Sequence, residues 1–318
     1  MAPKRRTGKK LLKSLRPIVL VLALAVVAVL AYVVYEITRP PRRAYVVTPQ
    51  SFSQISGPIL RVTDETWRNR DGTTARGWLL RGSEKAPAVV FLHRYGGDRS
   101  WLFNLGVKLN EATNFTILWP DLRGHGLDPP VNSSTFGVNE GNDVLASVDF
   151  LRTLKTSSGG SLVADHIGLY GVELGAYAAL YAAQRDPSIR ALALDSVPLN
   201  ADDLLRRALK EDVGVNNPLS LYLTRLALRV YFLGKFENRS SCEIASSLQS
   251  QRVLLLSGVD AGPLRNSTVA LQNCFRNRAN LEVKTDLPLT GFRLPSATGV
   301  EGEGYDRIVI DFLDKSLR

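Results

Sequence analysis

The chain has 318 residues, 45% of them apolar and 22% charged, which suits one large globular domain plus an extension. Its formal net charge of +10 is uneven: Lys4, Arg5, Arg6, Lys9, Lys10, Lys13 and Arg16 supply seven positive charges with no acid among residues 1–16, leaving +3 for the rest. That balance argues against nucleic acid as a partner, because the excess sits in one short tail rather than on a folded surface.

The segment after the tail gives it meaning. Ile18 to Tyr35 contains no charged residue and is almost wholly Val, Leu, Ala and Ile. As a helix these residues rise about 27 Å, close to the ~30 Å hydrocarbon core of a bilayer. Tyr32 and Tyr35 stand near one end, where aromatic rings favour the interface. The expectation is a single membrane-spanning helix over residues 17–37, behind a basic cytoplasmic tail at 1–16. An uncleaved anchor is preferred to a signal peptide, since the apolar run is long for one and no small-x-small site follows Tyr35. The positive-inside bias places the amino terminus in the cytoplasm and the remainder on the exported side, although Arg39, Arg42 and Arg43 weigh the other way.

Residues 38–44, with Pro40 and Pro41, read as a stiff linker, and 45–318 as the folded domain. Segments 44–48, 58–63 and 74–81 are expected to form an antiparallel meander, punctuated by Asp71-Gly72. From residue 87 apolar strands alternate with helical stretches: Ala88 to Leu92, Phe115 to Trp119, Ile167 to Tyr170, Ala191 to Leu194, Val253 to Leu256 and Leu281 to Val283. Amphipathic runs lie near 100–112, 138–155, 174–185, 264–277 and 304–316. This alternation predicts an α/β fold with a mostly parallel central sheet and helices on both faces.

One insertion, at about 197–250, carries helical patterns and no strand pattern. Leu204, Leu205, Ala208 and Leu209 make one apolar stripe; Leu219, Tyr222, Leu223, Leu226, Val230 and Leu233 make a second. It reads as a helical lid, with Arg206, Arg207, Lys210, Arg225 and Arg229 as solvated faces. Cys242 and Cys274, the only cysteines, are equally readable as a disulfide or as two buried thiols. Sequons begin at Asn114, Asn132, Asn238 and Asn266.

The functional question centres on Gly171-Val172-Glu173-Leu174-Gly175, placed between a short apolar strand and an alanine-rich helix. Its layout is that of a nucleophile elbow, Gly-x-Ser-x-Gly, with Glu173 where serine is expected. Two further motifs precede it: Phe91-Leu92-His93-Arg94-Tyr95-Gly96-Gly97 and Asp121-Leu122-Arg123-Gly124-His125-Gly126. On these three motifs the chain, from about residue 74 onward, resembles the α/β-hydrolase superfamily, in its esterase, lipase and serine-aminopeptidase branch. The resemblance implies the α/β-hydrolase fold and an ester- or amide-hydrolase ancestry.

Carried over position by position, the resemblance puts the nucleophile at Glu173 and the acid at Asp260, with Asp195 as a second candidate. The oxyanion hole falls on the N–H of Leu174 and the loop of Arg94 and Tyr95. Histidine is implied within about 286–300, and none is there; His93, His125 and His166 all precede the elbow. His93 and His125 read as structural members of their loops, and His166 as lying at the opposite sheet edge.

Three readings of Glu173 follow. It is a carboxylate nucleophile, for which glutamate is one methylene too long; or it works with Asp260 or a metal, for which the ligand set is poor. In the third reading it fills the oxyanion hole permanently, paired with Arg94 (or with Arg293 as fallback), and the site is catalytically retired. The third is the reading adopted: a membrane-anchored protein with a degenerate triad, no cofactor and no metal, acting through a small-molecule or protein ligand. A hydrolase of esters or amides using a non-standard site is the alternative.

Overall fold

The computed structural model describes residues 7–56, 61–293 and 299–318, and the chain divides into two compact units. One comprises Met1–Ile37 with Arg206–Phe236; the other comprises Thr38–Leu205 with Glu237–Arg318.

The larger unit is built on an eight-stranded sheet. Its strands are β1 (Val62–Arg68), β2 (Thr74–Leu80), β3 (Ala86–Leu92), β4 (Thr116–Pro120), β5 (Val163–Val172), β6 (Ile189–Asp195), β7 (Arg252–Gly258) and β8 (Leu281–Leu287). Their order is β1-β2-β4-β3-β5-β6-β7-β8; β1 and β2 are antiparallel, and β3 to β8 run parallel. The central strands β4, β6 and β7 are apolar and almost entirely buried, as a sheet covered on both faces requires. The edge strand β8 instead alternates apolar with polar residues, and its side chains alternate between half-buried and exposed. Helices α3 (Phe103–Thr113), α4 (Val138–Thr153), α5 (Leu174–Ala183), α9 (Pro263–Leu271) and α10 (Gly299–Leu317) connect or follow the strands. The apolar face of the last of these, Ile308, Val309, Phe312, Leu313 and Leu317, is buried except at Ile308, which is half-buried.

The expected strand at 44–48 is not formed. Its place is taken by an irregular segment leading into a short helix, α2 (Pro49–Ser56), and β1 begins only at Val62. Residues 58–60 of the expected 58–63 strand lie outside the described residues. The physical reason is that 38–48 finds side-chain partners instead of a ladder. Val46 N–H donates to Ser100 Oγ at 2.9 Å, and Tyr45 Oη donates to Asp121 at 2.9 Å. The Tyr45 ring also meets Trp78 edge-on, while Ser134 N–H donates to the Thr38 carbonyl at 2.8 Å. The linker is thus stitched to the domain from its first residue.

In the smaller unit, α1 (Thr7–Thr38) carries the apolar run, with Ile18 to Leu22 exposed. It is the one described helix long and apolar enough to cross a membrane, and its composition suits an anchor or a signal sequence alike. Between β6 and β7 the chain is helical, with α6 (Ala201–Ala208), α7 (Pro218–Tyr231) and α8 (Ser241–Ser247).

Cys242 in α8 and Cys274 beyond α9 are disulfide-bonded across a separation of 32 residues. Closing a loop of that length restricts the unfolded chain by about 3–4 kcal/mol. Replacing both cysteines by serine is expected to lower unfolding stability by that amount, read by denaturant unfolding, with a steeper slope because the freed unfolded chain exposes more surface.

Candidate active site

β5 ends at Val172 and α5 starts at Leu174, so a single residue makes the strand-to-helix turn. Glu173 makes it in a left-handed conformation (φ 51°, ψ −105°), a strain of about 1–3 kcal/mol for a side-chain-bearing residue. The turn is enforced from both sides. A Cβ at Gly175 would stand 2.1 Å from the Leu92 carbonyl oxygen of β3, and one at Gly171 would stand 2.6 Å from the Gly175 backbone. The Glu173 N–H donates to the Asp195 carbonyl, and its own carbonyl accepts from Tyr177, each at 2.9 Å.

The Glu173 side chain is 1% exposed, and it does not cap its own helix. Its Oε2 instead accepts the N–H of Tyr95, at 2.9 Å, from the loop after β3. That N–H belongs to the loop which the resemblance assigns to the oxyanion hole. Tyr95 is held by stacking on Phe136 and by the edge of His125, and the loop is closed by a Gly97 N–H donated to the Arg94 carbonyl. The Arg94 guanidinium carbon lies 4.6 Å from the Trp101 centroid and 5.5 Å from that of Phe292. Arg293, the fallback partner, is exposed.

Both internal histidines are occupied in holding this loop. His93 Nδ1 pairs with the Arg94 carbonyl at 2.8 Å, so it carries the proton, and Nε2 accepts the Leu122 N–H at 3.0 Å. His125 Nδ1 pairs with the Arg123 carbonyl at 2.9 Å. Burial pushes His93 down to about 4, and burial with its neighbour His93 pushes His125 down to about 3, so both are neutral at pH 7. His166 lies on the exposed first half of β5, away from the carboxyl end that carries Glu173.

The two candidate acids are engaged by the turn after β8, where the resemblance implies histidine. Asp260 accepts the Thr290 N–H at 3.2 Å and the Thr290 hydroxyl at 2.9 and 3.1 Å. Asp195 is fully buried and accepts from Gly291 N–H (2.8 Å), Tyr305 Oη (2.6 Å) and Ser196 Oγ (2.7 Å). Tyr170 Oη lies 2.6 Å from Tyr305 Oη, and Trp101 Nε1 donates to the Gly291 carbonyl at 3.1 Å. Burial raises Asp195 to about 7, against the lowering effect of its donors and with a further push from Asp260. Asp195 therefore joins the elbow to the turn: its carbonyl takes Glu173 N–H and its carboxylate takes Gly291 N–H. Sequence reasoning missed Thr290, Gly291, Trp101, Tyr170 and Tyr305. Thr290 stood inside the stretch searched for histidine, but no spacing singles out a threonine as the acid's partner.

No protein-family model and no curated protein sequence matches the chain. Solved structures do. The Pyrococcus furiosus esterase Pf2001 is similar over 88% of this chain and 98% of its own, at a TM-score of 0.63 and 21% identity. The α/β hydrolase GrgF from Penicillium sp. sh18 is similar over 81% and 99%, at 0.58 and 16%. Est1E from Butyrivibrio proteoclasticus, solved with ferulic acid, is similar over 77% and 96%, at 0.57 and 17%. The chain has the α/β-hydrolase fold, with esterases among its structural neighbours.

Proposed function

We propose that this is a membrane-anchored α/β-hydrolase-fold protein whose hydrolytic site is retired, and which acts by binding a small molecule or protein through the former pocket and its helical lid. Residues 17–37 are the span, 1–16 a cytoplasmic tail, and 45–318 an exported domain with its lid at about 197–250. The single observation that carries the reading is the Glu173 carboxylate on the Tyr95 N–H. An oxyanion hole earns its catalytic worth by meeting negative charge that develops only in the transition state. A carboxylate resident there in the ground state forfeits that difference, because the donor is already satisfied.

Two observations support it further. His93 and His125 are both held neutral by burial, each with Nδ1 on a loop carbonyl. The acids at 195 and 260 are engaged with a turn that carries no imidazole. A fluorophosphonate probe tests the reading on the full-length protein. The expected result is no labelling that heat denaturation abolishes; heat-sensitive labelling of a residue near Glu173 would establish a working nucleophile and overturn it.

A further inference from the structure

Helix α7 opens at Asn217, whose side chain accepts the Ser220 N–H, with Pro218 in the first turn. One face is buried through Leu221, Thr224 and Leu228. The other face is apolar too. Leu219, Tyr222, Leu226, Val230 and, just past the helix, Leu233 follow at spacings of three and four, and each is 51–87% exposed. Outside α1 the other exposed large apolar side chains, such as Val46, Leu127 and Val300, stand singly. A helix apolar on both sides with one side in water marks a surface meant for something else.

We propose that this face of α7 lies in the headgroup region of an anionic bilayer, the one that α1 crosses; the proposal rests on the anchored reading above. Residues 218–236 contain Arg225, Arg229 and Lys235 and no acid. An apolar stripe interleaved with cations matches a surface that offers acyl chains beneath phosphates. Tyr222 and Tyr231, exposed at 62% and 48%, add rings suited to that depth. The tether makes even weak attraction sufficient. α1 and α7 belong to the same compact unit, so a span in the bilayer keeps the local lipid concentration around α7 high.

The test uses the full-length protein in nanodiscs with and without phosphatidylglycerol. The two native cysteines are disulfide-bonded, so one introduced thiol can be labelled alone with an environment-sensitive fluorophore. Three variants are compared: Leu226→Cys on the stripe, Val27→Cys in the span and Val259→Cys on the other unit. The label at 226 is expected to shift to the blue and to lose about half its emission to nitroxide-bearing lipid, more so with phosphatidylglycerol, while that at 259 stays aqueous. An aqueous signal at 226 with a lipid signal at 27 overturns the inference and leaves the anchor standing. Aqueous signals at both remove the anchor and the inference together. A blue-shifted but unquenched label at 226, with the unlabelled Leu226→Cys protein oxidising to a disulfide-linked dimer, overturns it in favour of self-association.

Discussion

Glu173→Ser is expected to yield no useful esterase. Its hydrolysis of p-nitrophenyl acetate should stay within about tenfold of Glu173→Ala and at least ~10⁴-fold below an ordinary serine esterase, because loss of the base alone costs a triad that much. The substitution supplies a hydroxyl and releases the Tyr95 N–H from the carboxylate that now holds it. It supplies no proton acceptor. His93 uses Nδ1 on the Arg94 carbonyl and Nε2 on the Leu122 N–H; His125 keeps Nδ1 on the Arg123 carbonyl while its buried Nε2 has no hydrogen-bond partner among the described residues, and burial holds both rings far below the basicity that a general base needs at pH 7. The missing partner belongs where Thr290 is, since Thr290 makes to Asp260 the contact that histidine makes to the acid in the resembling superfamily. Adding Thr290→His to Glu173→Ser is therefore expected to raise turnover by about 10²-fold over either single change, the low end of what a general base supplies. Turnover by Glu173→Ser alone near that of ordinary esterases would mean that a base exists elsewhere, and the retired-site reading would fall. A thermal melt of the double variant checks that the buried position 290 accepts the larger ring.

The fold was legible because its signals are local and repeated. Apolar strands at 88–92, 167–170, 191–194 and 253–256 fall inside β3, β5, β6 and β7, and that at 115–119 overlaps β4 from Thr116 on; burial on both faces makes such strands uniformly apolar. The segment at 44–48 misled for the opposite reason: β-branched composition signals an extended chain, while the Ser100 and Asp121 side chains that capture it are 54 and 76 residues away. At the site, the glycines at 171 and 175 announced the turn, and the glutamate between them announced the loss of the hydroxyl. The direction of that glutamate was foreseeable, since a half-buried carboxylate needs donors and the facing loop provides an N–H. The rings beside Arg94 were not: the sequence does not reveal that Trp101, 7 residues on, offers its ring 4.6 Å from the guanidinium. The Asp195–Tyr305–Tyr170 chain was equally hidden: Asp195 stood out as a candidate acid, but Tyr170 and Tyr305 look like ordinary core in their own elements.

Asp195 is where that hidden chain has the largest measurable consequence. Its carboxylate is the shared acceptor for Gly291 N–H, Tyr305 Oη and Ser196 Oγ in a fully buried setting. Asp195→Ala strands all three donors, each worth about 1–3 kcal/mol when left unsatisfied, against which the removal of a buried charge is a partial offset. The expected net loss is about 3–5 kcal/mol, read by denaturant unfolding at pH 7.5. Asp195→Asn retains an acceptor and costs less, and it separates hydrogen bonding from charge through pH. Burial holds the Asp195 carboxyl at about 7, above its ordinary 3.8, so the folded state takes up the proton first. Its contribution is fully present below about pH 4 and is lost as pH rises through 7. Lowering the pH from 7.5 to 5 should therefore stabilise the wild type relative to Asp195→Asn by about 2–3 kcal/mol. The difference between the two proteins is the quantity to measure, since other buried groups titrate in both. Asp143, also raised to about 7, shifts stability in the same direction, whereas His93 and His125, held low, lose stability as pH falls below 6.5. These terms oppose one another in the raw curve and cancel in the comparison. A difference that stays flat from pH 7.5 to 5 would mean that Asp195 already shares its ordinary ionisation, and that the turn at Gly291 is held by a charge rather than by a proton waiting to bind.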